Sequence, residues 1–169
     1  MTDIANNIIA FMRDQEELSS KSASFICDWV LTGGAEKTKK MYDTWDIILK
    51  NYLPQERPTI FRACSRIVKR EIQSFTGSIR CAERFSEGHK GHLLICDTSE
   101  YLFYEDNINR NPPYEYSFFP VYDLVRKSLN SNTPRFHRQF YDHYSGEDEY
   151  ILRVNIDKLY DLKWNKRKD

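Results

Sequence analysis

Two prolines, Pro54 and Pro58, sit where the hydrophobic pattern of the chain changes period, and this change restricts the fold more than any other feature. Upstream, apolar residues recur at helical spacing. The stretch TDIANNIIAFMRDQEEL carries Ile4, Ile8, Ile9 and Met12 on one stripe, with Thr2 or Asp3 as its N-cap. A second helix is expected over SASFICDWVL, stopped at Gly33 and Gly34. The third stretch, AEKTKKMYDTWDIILKNYL, aligns Met41, Trp45, Ile48 and Leu49 and keeps its lysines elsewhere, as a helix packed on a core does.

Downstream, the apolar runs are of strand length. TIFRACS is short, apolar and partly β-branched, and HLLICD is a continuous apolar run that reads as a strand buried on both faces. Between them GSIRCAERFSE spaces Ile79, Ala82 and Phe85 as a short helix. YLFYED is open between strand and helix, NINRNPPYEYS is turn-rich, and FFPVYDLVRKSL reads as a helix beginning near Pro120. NSNTPRFHRQFYDHYSG is a polar, aromatic connection, EYILRVNI is the last clear strand, and KWNKRKD is a small basic tail. Helices first and a strand-rich half afterwards indicate an α+β fold over a regularly alternating parallel one. The length, 169 residues, suits one domain, with residues 1–53 as its helical part and 54–169 as its strand-rich part.

Charge and cysteine usage narrow the setting. Twenty-five basic and 25 acidic residues cancel, so any affinity for nucleic acid has to come from a local patch. Cys27, Cys64, Cys81 and Cys96 lie far apart beside apolar residues and read as buried free thiols in a reducing compartment. No apolar run reaches membrane-spanning length and residues 1–13 lack a secretion signal, so a soluble cytoplasmic protein without membrane contact is expected. The four histidines, His89, His92, His137 and His143, have no further ligands at zinc spacing, and no metal site is expected.

Unusual polar residues stand at three apolar boundaries. In SGEDEYILRV, strand alternation puts Glu147 and Glu149 on one face and Asp148 on the other, and carboxylates that close raise each other's pKa. Such a pair is either a solvated turn or a site that needs both groups. Arg62 inside TIFRACS is either a salt-bridged strand-end arginine or a functional one. Ser74 and Thr76 in QSFTGS either cap the helix starting near Gly77 or belong with Arg62 and the acids.

Taken in order, TIFRACS, SFTGSIRCAERF and SGEDEYIL resemble the signature of the mono-ADP-ribosyltransferases of the Arg-Ser-Glu class, which includes cholera-type and clostridial toxins and phage-encoded enzymes. The signature is an arginine on an early strand, a Ser-x-Ser/Thr turn leading into an Ala-x-x-Phe helix, and a Glu-x-Glu at the start of a late strand. The likeness spans residues 59–154, and the N-terminal helices match the lead-in of many members. Phe75 departs from the commoner Ser-Thr-Ser, although aromatic residues there are familiar from phage-type members, and residues 107–144 form a longer stretch than in compact members.

The resemblance implies two packed, mostly antiparallel sheets around an NAD cleft. It also implies NAD as substrate without a metal, since the leaving nicotinamide already carries positive charge. The transition state is then oxocarbenium-like. Glu149 stabilises the ribose cation and holds a ribose hydroxyl, Ser74 orients Glu149, and Arg62 grips the phosphates or ribose. The main chain at Arg62 and Ala63 clamps the nicotinamide amide, Thr76 completes the turn at the cofactor, and Phe85 packs on the nicotinamide ring. Glu147 serves the incoming nucleophile, and a glutamate at this place goes with arginine acceptors. Tyr144 falls where toxin relatives carry an aromatic for target recognition, or is ordinary loop packing.

Two other readings stay open. PRFHRQFYDHY interleaves Arg135 and Arg138 with Phe136, Phe140, Tyr141 and Tyr144, a composition that grips single strands and would change the acceptor to a nucleobase in RNA or DNA. The same patch is otherwise an aromatic loop packed on the core. The second alternative is a non-catalytic binding module, against which an intact Arg62, Ser74 and Glu149 argue. Unsecreted transferases of this kind are phage enzymes or toxins in toxin–antitoxin and anti-phage systems, so an inhibitory antitoxin partner in a bacterial or phage-infected cell is expected.

Overall fold

Hydroxyl caps start two of the three N-terminal helices. The computed structural model describes residues 1–86, 90–99, 117–130, 140–142 and 144–164. Helix α1 spans Thr2–Met12, α2 Ser20–Leu31 and α3 Lys39–Asn51. The Ser19 hydroxyl accepts from the Ser22 N–H at 3.2 Å, and that of Thr38 accepts from the Met41 N–H at 3.4 Å. Neither Thr2 nor Asp3 caps α1, whose N-cap position falls on Met1; Asp3 instead lies in the first turn, where a negative charge suits the helix dipole. Helix α2 ends at Thr32, just short of the two glycines.

Six strands follow: β1 Thr59–Cys64, β2 Ile72–Thr76, β3 Gly91–Asp97, β4 Phe118–Pro120, β5 Glu149–Arg153 and β6 Tyr160–Trp164. Helix α4, Ile79–Phe85, lies between β2 and β3, and α5, Val121–Ser128, follows β4 directly. The fold is α+β, and every strand pairing is antiparallel, in the order β4-β5-β2-β1-β3-β6. Where two packed sheets are expected, the described strands form one. The single connection is the pair Phe61↔Thr76 between β1 and β2. By contrast β1 follows β3 from Thr59↔Asp97 to Cys64↔His92, and β2 follows β5 from Ile72↔Arg153 to Thr76↔Glu149. The sheet is therefore two three-stranded halves joined at one point and open beside it.

Alternation distributes adjacent residues between two cores. Phe119 and Ile151 join Trp29, Trp45 and Ile48 of the helices in the first, while Phe118 and Leu152 join Ile60, Phe75 and Leu94 in the second. The registers Phe118↔Leu152 and Phe119↔Ile151 match this division. Trp45 is the hub of the first core, with Phe25, Trp29 and Phe119 ring centroids at 5.6, 5.6 and 5.5 Å.

Several expectations are corrected. QSFT is a strand, because Gln73 is buried and donates to the Val68 and Arg70 carbonyls at 3.2 and 2.6 Å, so its amide has partners inside the fold. Tyr160–Trp164, which takes in the first two residues of the basic tail KWNKRKD, pairs with β3 as an edge strand. Cys81 and Cys96 are buried, but Cys27 and Cys64 are partly exposed, and all four are free thiols. YLFYED and NINRNPPYEYS lie almost wholly outside the described residues. Among the described residues no helix is long and apolar enough to cross a membrane.

Candidate functional site

The opening between the two half-sheets is where the three motifs meet. Continued in register, the β1–β2 ladder would bring Ala63 opposite Ser74, but it stops at Phe61↔Thr76. The Arg62 guanidinium crosses the gap instead and donates to the Ser74 carbonyl at 2.6 Å, standing in for a main-chain donor. Burial lowers the Arg62 pKa first of all, and the neighbouring Glu149 carboxylate opposes this. Ala63 pairs with Leu93 on the other side of β1.

Ser74 then reaches Glu149. Ser74↔Ile151 and Thr76↔Glu149 are cross-strand pairs, which makes Ser74 and Glu149 diagonal neighbours on one face. The Ser74 hydroxyl faces the Glu149 carboxyl across this diagonal. Burial pushes the Glu149 pKa up; the Ser74 hydroxyl, the Lys37 ammonium and the Trp29 indole pull it back, and Glu147 adds to the rise. The Trp29 N–H faces this carboxyl but is buried and short of normal hydrogen-bond geometry with any described group.

Glu147 and Glu149 come together for a reason other than strand alternation. Residues Ser145–Glu147 form a 3-10 turn, Asp148 takes a left-handed conformation at φ 43°, and the strand begins only at Glu149. The turn is clamped from β2. The Thr76 hydroxyl donates to the Glu147 carbonyl, and the Gly77 N–H donates to the Asp148 carbonyl at 2.9 Å. A Cβ on Gly77 would stand 2.0 Å from Asp148 Oδ2 and 3.1 Å from Tyr150 Cε2, so any other residue here would have to displace the Asp148 carboxylate. Neither Ser74 nor Thr76 caps α4; Ser78 does, accepting from the Cys81 N–H at 3.3 Å. Asp148 belongs to this turn, while Glu147 and Glu149 line a common pocket.

That pocket has an aromatic wall. Tyr122 and Tyr141 stack at 5.9 Å with their hydroxyls 3.1 Å apart, and Tyr144 tilts against Phe140 at 4.8 Å. All four rings line the pocket with the two glutamates. Burial pushes the Glu147 pKa up, partly offset by Arg84. On the Arg62 side a separate cavity is bounded by Trp29, Lys37, Tyr42, Arg70 and Ser74.

Among the expected residues, Arg62, Ser74, Thr76, Tyr144, Glu147 and Glu149 are thus assembled. Phe85 is not: it is 56% exposed at the end of α4, beneath the Arg84 guanidinium, and lines neither cavity. Arg135 and Arg138 lie outside the described residues. Trp29, Lys37, Arg70 and Tyr122 join the site without having been singled out. Their only sequence signal is a polar or aromatic residue next to a turn or helix end, as in GGAEK. Comparison with family models, with curated proteins and with solved structures finds no match for the chain.

Proposed function

We propose that the protein is an NAD-dependent mono-ADP-ribosyltransferase that passes ADP-ribose to a macromolecular acceptor, a protein arginine in the first instance. The observation that carries this reading is the grouping of Arg62, Ser74 and Glu149: the guanidinium donates to the Ser74 carbonyl, and the Ser74 hydroxyl faces a half-buried, desolvated carboxylate. In the reaction the bond between nicotinamide and ribose breaks, its electron pair leaves with the ring, and nicotinamide departs neutral. Positive charge remains on the ribose, and the fixed Glu149 carboxylate stabilises it without reorganising. The acceptor nitrogen then attacks that carbon and loses a proton to Glu147, whose raised pKa makes it a better base near neutrality.

Incubation with NAD labelled in its adenylate half tests the proposal. Label on protein, removed by chemistry specific for arginine adducts, supports it. Label on RNA or DNA supports the nucleobase acceptor, which the stacked Tyr122–Tyr141 wall beside Glu147 also suits. Neither label nor nicotinamide release would mean a non-catalytic module. A phage effector or a toxin held by an antitoxin is the setting that goes with this activity.

The two acids have separable roles in this mechanism. Glu147→Gln is expected to reduce transfer to arginine by about 10²-fold, the usual worth of a positioned base, while NAD hydrolysis to water changes only a few-fold. Transfer and hydrolysis measured on the same preparation distinguish the roles; equal loss of both contradicts them.

A further inference from the structure

The cavity between the α2–α3 turn and the opening in the sheet holds more positive charge than Glu149 uses. Lys37, Arg62 and Arg70 converge on it, and it encloses about 310 Å3. Among the described residues none of the three forms an ion pair. Their contacts are neutral. Arg70 donates to the Gly34 carbonyl and to the Tyr42 hydroxyl at 3.0 Å, Arg62 donates to the Ser74 carbonyl, and the Lys37 ammonium sits 3.6 Å above the Trp29 ring. Burial lowers the pKa of Lys37 and of Arg62; the single Glu149 carboxylate opposes this in both, while Arg70 lowers both further. Cations this close repel one another, and an anion between them removes that cost.

We propose that this cavity binds the diphosphate of a nucleotide ligand, with Lys37 and Arg70 as anion-binding side chains contributed from outside the three motifs. Arg70 offers a planar fork to phosphate oxygens and Lys37 a compact charge, which together suit two adjacent phosphates. A volume of about 310 Å3 holds a diphosphate but not a whole dinucleotide, so the rest of the ligand extends out of the cavity. The preference for a dinucleotide rests on the transferase reading; the preference for a diphosphate rests on the cations alone.

Calorimetric titration of the full chain with inorganic pyrophosphate, ADP and ADP-ribose tests this. All three should bind, more weakly as salt is raised. Lys37→Met keeps the stem over Trp29 and removes the charge; Arg70→Ala removes the fork. Each should weaken binding about 10-fold or more, as loss of a charged hydrogen bond does. Arg70→Lys should fall between Arg70→Ala and the wild type, and Lys39→Ala, at a surface lysine paired with Asp43, should bind as the wild type. Thermal melts identify any variant that fails to fold, and Lys37→Met and Arg70→Lys then carry the comparison. No binding of any probe at millimolar concentration, or wild-type affinity in the folded variants, overturns the proposal. If the probes bind as expected but NAD releases no nicotinamide, the anion site stands and the transferase reading falls. If NAD turns over with an unchanged KM in Lys37→Met and Arg70→Lys, the reverse holds.

Discussion

Glu149→Gln is expected to lower nicotinamide release from NAD by about 10²- to 10³-fold, the worth of one preorganised electrostatic group, while making the protein harder to unfold at neutral pH. Both effects have the same origin. The Glu149 carboxyl is desolvated, which raises its pKa above that of the unfolded chain despite help from Ser74, Lys37 and Trp29. A folded-state pKa above the unfolded one means that the folded form binds the proton more tightly. The contribution of Glu149 to stability is therefore full below the ordinary glutamate range, near pH ~4.3, and is lost as pH rises through the raised value. Glutamine carries no charge to desolvate, so the advantage of the variant should be present at neutral pH and should vanish below pH ~4. Each kcal/mol relieved moves the melting midpoint of a chain this size by about 2–4 °C. Wild-type activity should fall on the acid side at a pH above the usual glutamate range, because the working form is the carboxylate. Melting curves of both proteins across pH, with nicotinamide release measured in parallel, check the account. A variant with undiminished turnover, or one whose midpoint stays level with the wild type at neutral pH, contradicts it.

Part of the candidate site was legible in the sequence, although the two acids meet by a different route from the one the sequence suggested. Alternation within a strand put Glu147 and Glu149 on one face. In the structure Glu147 is outside the strand and the left-handed Asp148 turns the chain, yet both acids line one pocket. That outcome depends on Thr76 and Gly77 clamping the turn from a strand 71 residues away in sequence, a long-range contact with no local periodicity. Strand β2 was hidden for a related reason. Its Gln73 and Ser74 look like turn residues until their partners, the Val68 and Arg70 carbonyls for Gln73 and the Arg62 guanidinium for Ser74, are brought beside them. The three helices were readable because amphipathic spacing is a local property, and their caps differed from expectation by only a residue or two at α1 and α2. Their part in the site was not readable, since Trp29 and Lys37 meet Glu149 only after the helices pack on the sheet. Phe85 shows the converse: its spacing in the Ala-x-x-Phe stretch is right, but the helix leaves its ring exposed.

Packing of the helices on the sheet makes the second large effect a loss of stability. Trp45→Ala is expected to cost about 3–5 kcal/mol, the range for deleting a large buried aromatic, and to lower the melting midpoint by roughly 10 °C. Trp45 is fully buried and touches rings from α2 and from β4, so the cavity it leaves lies at the seam between the helices and the sheet. Trp29 is one of those neighbours, and its indole faces Glu149. Nicotinamide release should therefore drop even at temperatures where the variant is still folded. Trp45→Phe separates packing from polarity. The Trp45 indole N–H is buried with no hydrogen-bond partner among the described residues, and a buried donor left unpaired is itself unfavourable. Phenylalanine removes that donor while keeping a ring against Phe25, Trp29 and Phe119, so its loss should be about 1–2 kcal/mol, well below that of alanine. Chemical denaturation of the three proteins gives the comparison directly. Equal destabilisation by phenylalanine and alanine would mean that the indole N–H has a partner worth as much as the ring, and that the first core is held at Trp45 by a polar contact and not by packing.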